Sequence, residues 1–121
     1  MKNISESELE VMQTLWTKGA STSLEIIKDV TSRRAWKNNT IMTLVKRLTD
    51  KGFIEVIREK GNLLLYKPTV LEDEYKAKET ESFIERMYKG SINNMLVAFA
   101  KSKKLSKKDL EELMELIEED N

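Results

Sequence analysis

Two sets of side chains alternate at helical spacing between Asn38 and Lys51. Ile41, Leu44, Val45 and Leu48 follow the i, i+3, i+4, i+7 pattern of a buried stripe. The opposite side of the same wheel holds Asn39, Thr43, Lys46 and Asp50, with Met42 and Arg47 on its flanks. Short hydrogen-bonding groups beside cations suit duplex DNA. A helix laid in a major groove needs polar or apolar tips for base edges and cations for phosphates. Thr43 and Met42 can meet a base edge or a thymine methyl. Lys46 and Arg47 suit phosphate, and Arg47 can also grip guanine. Asp50 repels phosphate and belongs outside the groove. Any solvated helix face has a similar composition, so this pattern gains weight only from what surrounds it. Arg58 and Lys60 at the tip of the following hairpin add that weight, and Arg33, Arg34 and Lys37, just before the helix, can also meet phosphate.

Other chemistries are poorly served. The 121 residues contain no Cys and no His, so disulfides, thiolate metal sites, cysteine nucleophiles and the commonest general base are excluded. Glu111, Glu112, Glu115, Glu118 and Glu119 crowd one polar helical tail without a pocket to perturb them, so no catalytic residue is expected. No metal site and no cofactor is expected either. The longest apolar run, Met95 to Ala100, is far too short for a membrane span, and the first residues lack the apolar core of a signal peptide. These features predict a soluble, cytoplasmic protein without membrane insertion.

The net charge of zero hides an asymmetry. Residues 1–70 hold 12 basic and 8 acidic residues, a net +4, and residues 71–121 hold 9 and 13, a net −4. Within residues 28–60 the excess is 9 over 4, or +5. A positive half marks a candidate polyanion footprint.

The elements that would position these groups are legible. Ser5 to Glu8 is a capping box, followed by Leu9, Met12, Leu15 and Trp16 on one stripe and Gly19 as a stop. Thr22 to Glu25 repeats the box and opens a short helix to about Val30. The third helix runs from Asn38 to Lys51 and ends at Gly52. Asn38 is its expected cap. Phe53 to Arg58 and Leu63 to Lys67 are β-rich segments around a Gly-Asn turn, closed by Pro68. Trp16 and Trp36 read as core residues. The predicted fold is mainly α: a winged helix-turn-helix of three helices plus a β-hairpin wing over residues 1–70, then a helical dimerisation region over 71–121.

That second region shows no strand signal. Three amphipathic helices follow, broken at Gly90 and reopened at Ser91 and Ser106. Their apolar residues are Tyr75, Phe83, Ile84 and Met87, then Ile92, Met95, Leu96 and Phe99, then Leu110, Leu113, Met114 and Ile117. About 50 residues make a thin core alone, and a second copy of the chain is the simplest cover. Lys103, Lys104, Lys107 and Lys108 read as a solvated turn.

These residues resemble the penicillinase-repressor family of winged-helix regulators, the BlaI/MecI group with its copper-responsive CopY members. The similar stretches are Glu8 to Met12 with Trp16, Trp36 with Thr40, Ile41, Thr43 and Leu44, Arg47-Leu48, and Lys51 to Ile54. Phe83-Ile84, Tyr88 to Gly90, Leu105-Ser106 and Leu110 to Leu113 continue it along nearly the whole chain. The resemblance implies a homodimeric repressor of inverted-repeat operator DNA, with Thr40, Thr43 and Arg47 at DNA-facing positions. The expected DNA-binding set is thus Lys37, Asn39, Thr40, Met42, Thr43, Lys46, Arg47, Arg58 and Lys60. It implies control of β-lactam resistance, and a membrane sensor protease, or a protease that it activates, as a further partner.

Four departures qualify this expectation. Family members usually carry Ser-Pro-Lys after the Trp, where this chain has Lys37-Asn38-Asn39. A commonly basic or polar contact position is Met42, which points to a different operator. The Asn-Phe bond cut in β-lactam-responsive members corresponds to Ala98-Phe99 here. The absence of Cys removes the copper-sensing thiolates of CopY-like members. A winged helix can alternatively dock on another protein without binding DNA; salt-dependent DNA retention separates the two.

Overall fold

The local signals for helix initiation build the elements. In a computed structural model that describes residues 3–119, α1 spans Glu6–Lys18 and α2 spans Ser23–Thr31. Both open on a complete capping box, Ser5 with Glu8 and Thr22 with Glu25. Each hydroxyl takes a backbone N–H of the first turn, and each carboxylate takes the cap residue's own N–H. Gly19 ends α1 at φ +81°, a conformation that L side chains rarely adopt. The third helix, α3, spans Asn38–Asp50. Its cap residue is Lys37, without a side-chain hydrogen bond, and Asn38 is already helical. The expected Asn38 cap is therefore corrected. Gly52, at φ +88°, turns the chain out of α3.

The wing pairs β1, Ile54–Arg58, with β2, Leu64–Pro68, in antiparallel register from Ile54↔Pro68 to Arg58↔Leu64. Its tip is one 3-10 turn at Lys60–Asn62 rather than a two-residue turn. Gly61 and Asn62 both take positive φ there. Pro68 closes the ladder as its last paired residue, where a missing N–H costs least. A bridge not visible in the sequence joins this sheet to the α1–α2 linker. Ser21 N–H donates to Tyr66 C=O at 3.0 Å, and Tyr66 N–H donates to Ser21 C=O at 2.8 Å.

The core of this unit gathers Val11, Met12 and Leu15 from α1, Ile26 and Val30 from α2, Ile41, Leu44, Val45 and Leu48 from α3, and Ile54 from β1. Trp16 and Trp36 pack half-buried against it. The Trp16 indole N–H donates to Val70 C=O at 2.9 Å.

Helix α4 spans Glu72–Tyr88, α5 spans Ile92–Lys101 and α6 spans Lys107–Glu119. The chain divides into two compact units between Tyr75 and Lys76, where residues 70 and 71 were the expected border. Tyr75, expected among the dimerisation residues, is spent within the first unit. Its hydroxyl accepts the Ile4 N–H at 2.9 Å, and its ring lies 6.1 Å from Trp16 and 5.8 Å from Phe53 between centroids.

The second unit follows the predicted caps. Ser91 Oγ takes the Asn94 N–H at 3.1 Å, and Ser106 and Asp109 form a reciprocal pair at 3.0 Å in each direction. Lys89 and Gly90, both at positive φ, make the break after α4. Its apolar residues find little cover within the chain. Ile84 is the one buried side chain of this unit among the described residues. Phe83, Met87, Ile92, Phe99, Leu110, Leu113, Met114 and Ile117 are exposed, and Met95 and Leu96 are half-buried.

Candidate nucleic-acid interface

The site is the side of α3 that the core leaves over. Burying Ile41, Leu44, Val45 and Leu48 turns Asn39, Thr40, Thr43, Lys46 and Arg47 to solvent, and all five are exposed. Lys37, one residue ahead of the helix, is exposed as well. Neither Lys37 nor Arg47 has an ion-pair partner among the described residues, which leaves two cations uncommitted. Thr43 Oγ1 donates to Asn39 C=O at 2.8 Å. Its donor is thus used, while its lone pairs stay open to a base amino group. Lys46 Nζ sits 3.2 Å from Asp50 Oδ2, both largely exposed, so the pair is weak and easily exchanged for a phosphate contact.

Met42 differs from its neighbours. It is half-buried and packs against the core rather than standing free. With Val45, Lys46, Thr49, Asp50, Val56 and Tyr66 it lines a groove of about 240 Å³ between α3 and the wing. On the wing, Arg58 and Lys60 are exposed, and Arg58 Nη1 donates to Asn62 Oδ1 at 3.2 Å. That bond ties the cation to the turn and limits its reach.

Two arginines that the sequence offered to phosphate are committed elsewhere. Arg33 Nε reaches Glu10 Oε1 at 3.0 Å, and its Nη1 reaches Asp29 Oδ2 at 2.5 Å. Arg34 Nε reaches Glu10 Oε2 at 2.9 Å. The two guanidinium groups hold the Glu10 carboxyl below the usual carboxylate range, against the opposing effect of burial. Asp29 is likewise lowered, first by the Thr14 hydroxyl and then by Arg33. Asp29 and Arg33 stand at i,i+4 spacing, but no periodicity could have revealed the links to Glu10, which lies 23 and 24 residues from its two arginines.

A second connection was equally hidden. Glu8, 2 % exposed, accepts from Lys51 Nζ at 2.6 Å. Lys51 also donates to Asn3 C=O at 3.0 Å, so the end of α3 is fastened to the start of α1. Burial opposes ionisation of Glu8, yet the hydrogen bonds from Lys51 and Ser5 outweigh it and keep its pKa below the usual range.

The match to the penicillinase repressor model runs over residues 4–119. The chain belongs to the penicillinase repressor family. It is 34 % identical to the penicillinase repressor of Bacillus licheniformis over 116 residues, 96 % of this chain and 90 % of that protein. It is 36 % identical to the methicillin resistance regulatory protein MecI of Staphylococcus aureus over 115 residues, covering 94 % and 92 %. The solution structure of Bacillus licheniformis BlaI in monomeric form with the blaP half-operator superposes with a TM-score of 0.54 at 34 % identity. That alignment covers 61 % of this chain and 89 % of the other. The family is one of transcriptional repressors rather than enzymes, and the winged helix-turn-helix of the first unit is its fold. No cluster of metal-ligating residues occurs among the described residues, and no helix there is long and apolar enough to cross a membrane.

Proposed function

We propose that this protein represses transcription in the cytoplasm as a homodimer bound to inverted-repeat operator DNA. The single observation that carries the reading is the division of α3 into a fully used apolar stripe and an exposed face of Asn39, Thr40, Thr43, Lys46 and Arg47. In the major groove, Asn39, Thr40 and Thr43 meet base edges, and Lys37, Lys46 and Arg47 meet phosphates. Lys60 of the wing reaches the neighbouring backbone, as does Arg58 once it exchanges Asn62 for a phosphate. Met42 contributes a methyl-sized apolar edge beside the groove, a choice that favours thymine where a basic residue favours guanine.

One such unit neutralises few phosphates and binds weakly. Two units joined through Phe83, Met87, Ile92, Met95, Leu96, Phe99, Leu110, Leu113, Met114 and Ile117, with the expected Ile84 already buried within its own chain, engage half-sites about one helical turn apart. The tether raises the effective concentration of the second unit. The named relatives support control of β-lactam-resistance genes. Relief of repression then comes from cutting the second unit at Ala98-Phe99, by a membrane sensor protease or one that it activates. Both residues lie within α5, and the Ala98 carbonyl accepts the Ser102 N–H at 3.1 Å, so the helix must open locally before cleavage.

DNase footprinting with purified protein on the promoters adjoining its own gene tests the reading. Protection of a two-fold symmetric segment, weakened by salt, is expected. No protected promoter, with retention insensitive to salt, would mark a protein-docking module instead. Mass spectrometry of the repressor from β-lactam-treated cells tests the cleavage, and only intact chain would end that part.

A further inference from the structure

Both carboxylate oxygens of Glu10 are taken by consecutive arginines of the turn that leads into α3. The Glu10 side chain is only 14 % exposed, whereas Arg33 and Arg34 are 35 % and 55 % exposed. Two cations therefore stand at the surface, a few residues from Lys37 and Asn39, with their charge already matched. We propose that Glu10 is a specificity-determining residue, which withholds Arg33 and Arg34 from phosphate so that binding depends on the α3 face. The inference rests on the duplex-binding reading above.

The physical argument concerns what remains if Glu10 is neutral. Arg33 keeps Asp29 through Nη1 and the Glu10 carbonyl through Nη2. Arg34 loses its one direct ion pair among the described residues, although Glu6 lines the same cleft. The remaining contact of Arg34 is with the Trp36 ring, 5.9 Å from the centroid. A released arginine adds a sequence-independent phosphate contact. On random DNA the protein slides and hops, so a mobile cation finds a phosphate in many registers. On the operator the base contacts fix one register, and a cation not built into it adds little. The same carboxylate also sets the course of the turn, because Arg33 and Arg34 join it to α1. Neutralising Glu10 therefore strengthens random binding without strengthening operator binding.

Glu10→Gln in the full-length protein is the test, with circular dichroism to verify folding. The probes are a duplex that the wild type selects from a random pool and a shuffled duplex of equal composition, each titrated over a salt series. Affinity for the shuffled duplex is expected to rise roughly threefold to tenfold, with a salt slope steeper by about 1. Affinity for the selected duplex stays level or falls. The double variant Glu10→Gln/Arg34→Gln returns shuffled binding to the wild-type value. Equal gains on both duplexes, no gain on either, or failure of the double variant to revert would overturn the proposal. A wild type that selects no duplex would overturn the operator reading itself, whereas a selective wild type with an unchanged variant overturns only the role of Glu10.

Discussion

The two units treat their apolar residues in opposite ways. In the first, ten aliphatic side chains from α1, α2, α3 and β1 close on one another and are almost wholly buried. In the second, Ile84 alone among the described residues reaches that state, while Leu113 and Met114 on α6 remain 40 % and 52 % exposed. Helices form in both units, and α1, α2 and α5 open on the caps that the sequence signals, although α3 has no side-chain cap. The difference teaches that cap signals build helices irrespective of packing, whereas a core needs enough chain to enclose it. The first unit is complete by itself. The second has stripes that only another surface can dry.

Truncation after Tyr75 should break the contrast most severely. The shortened chain is expected to fold and to remain monomeric, and its affinity for operator falls by roughly 10²- to 10⁴-fold as the tether is lost. Sedimentation and operator titration check this, and equal losses on operator and random DNA would count against it. Cutting after Val70 instead also removes Tyr75 and its contacts with Trp16 and Phe53, so that product should melt lower.

Single substitutions sharpen the same contrast. Ile41→Ala, at the centre of the first core, should cost about 2 to 5 kcal/mol in a urea titration. Leu113→Glu should leave that unfolding transition in place and shift the protein from dimer to monomer in sedimentation. Dissociation by Ile41→Ala without loss of stability would invert the assignment.

Glu8→Gln has a smaller effect. Loss of the charged contact with Lys51 should cost about 1 to 3 kcal/mol near neutral pH. The Glu8 pKa is lowered by folding, so its contribution is complete above the unfolded value and disappears as pH falls through the folded one. The gap between wild type and variant should accordingly close on acidification, and a gap constant to strongly acid pH would refute the role of the carboxylate. Arg47→Ala is expected to leave stability within about 0.5 kcal/mol. It should make the salt slope of DNA binding shallower by about 1. An unchanged slope would move Arg47 to base reading or to the solvent-exposed surface away from DNA.

Much of this was legible from local patterns. The capping boxes at Ser5 and Thr22 and the stripe from Ile41 to Leu48 announced the helices and the exposed face of α3. The wing was legible from its β-rich runs, although its tip closes as a 3-10 turn instead of a Gly-Asn pair. The pairing of Arg33 and Arg34 with Glu10 was not legible, because a cation before a helix reads identically whether free or paired. The half-buried position of Met42 was not legible, because the groove that it lines includes Val56 and Tyr66 of the wing, which no helical wheel contains.

The sequence by itself determined the order of elements, the caps at Ser5, Thr22, Ser91 and Ser106 and the two faces of α3, because these depend on residues within a turn or two of one another. It also determined the family, through motifs spread along the chain. Only the tertiary structure decided which cations stay free, where Tyr75 is spent and what fastens the ends of α3. Those outcomes rest on pairs such as Ile4 with Tyr75, Lys51 with Glu8 and Arg34 with Glu10, which lie 71, 43 and 24 residues apart. Distance along the chain carries no periodic signal, and a carboxylate chooses its partner only after the helices have met.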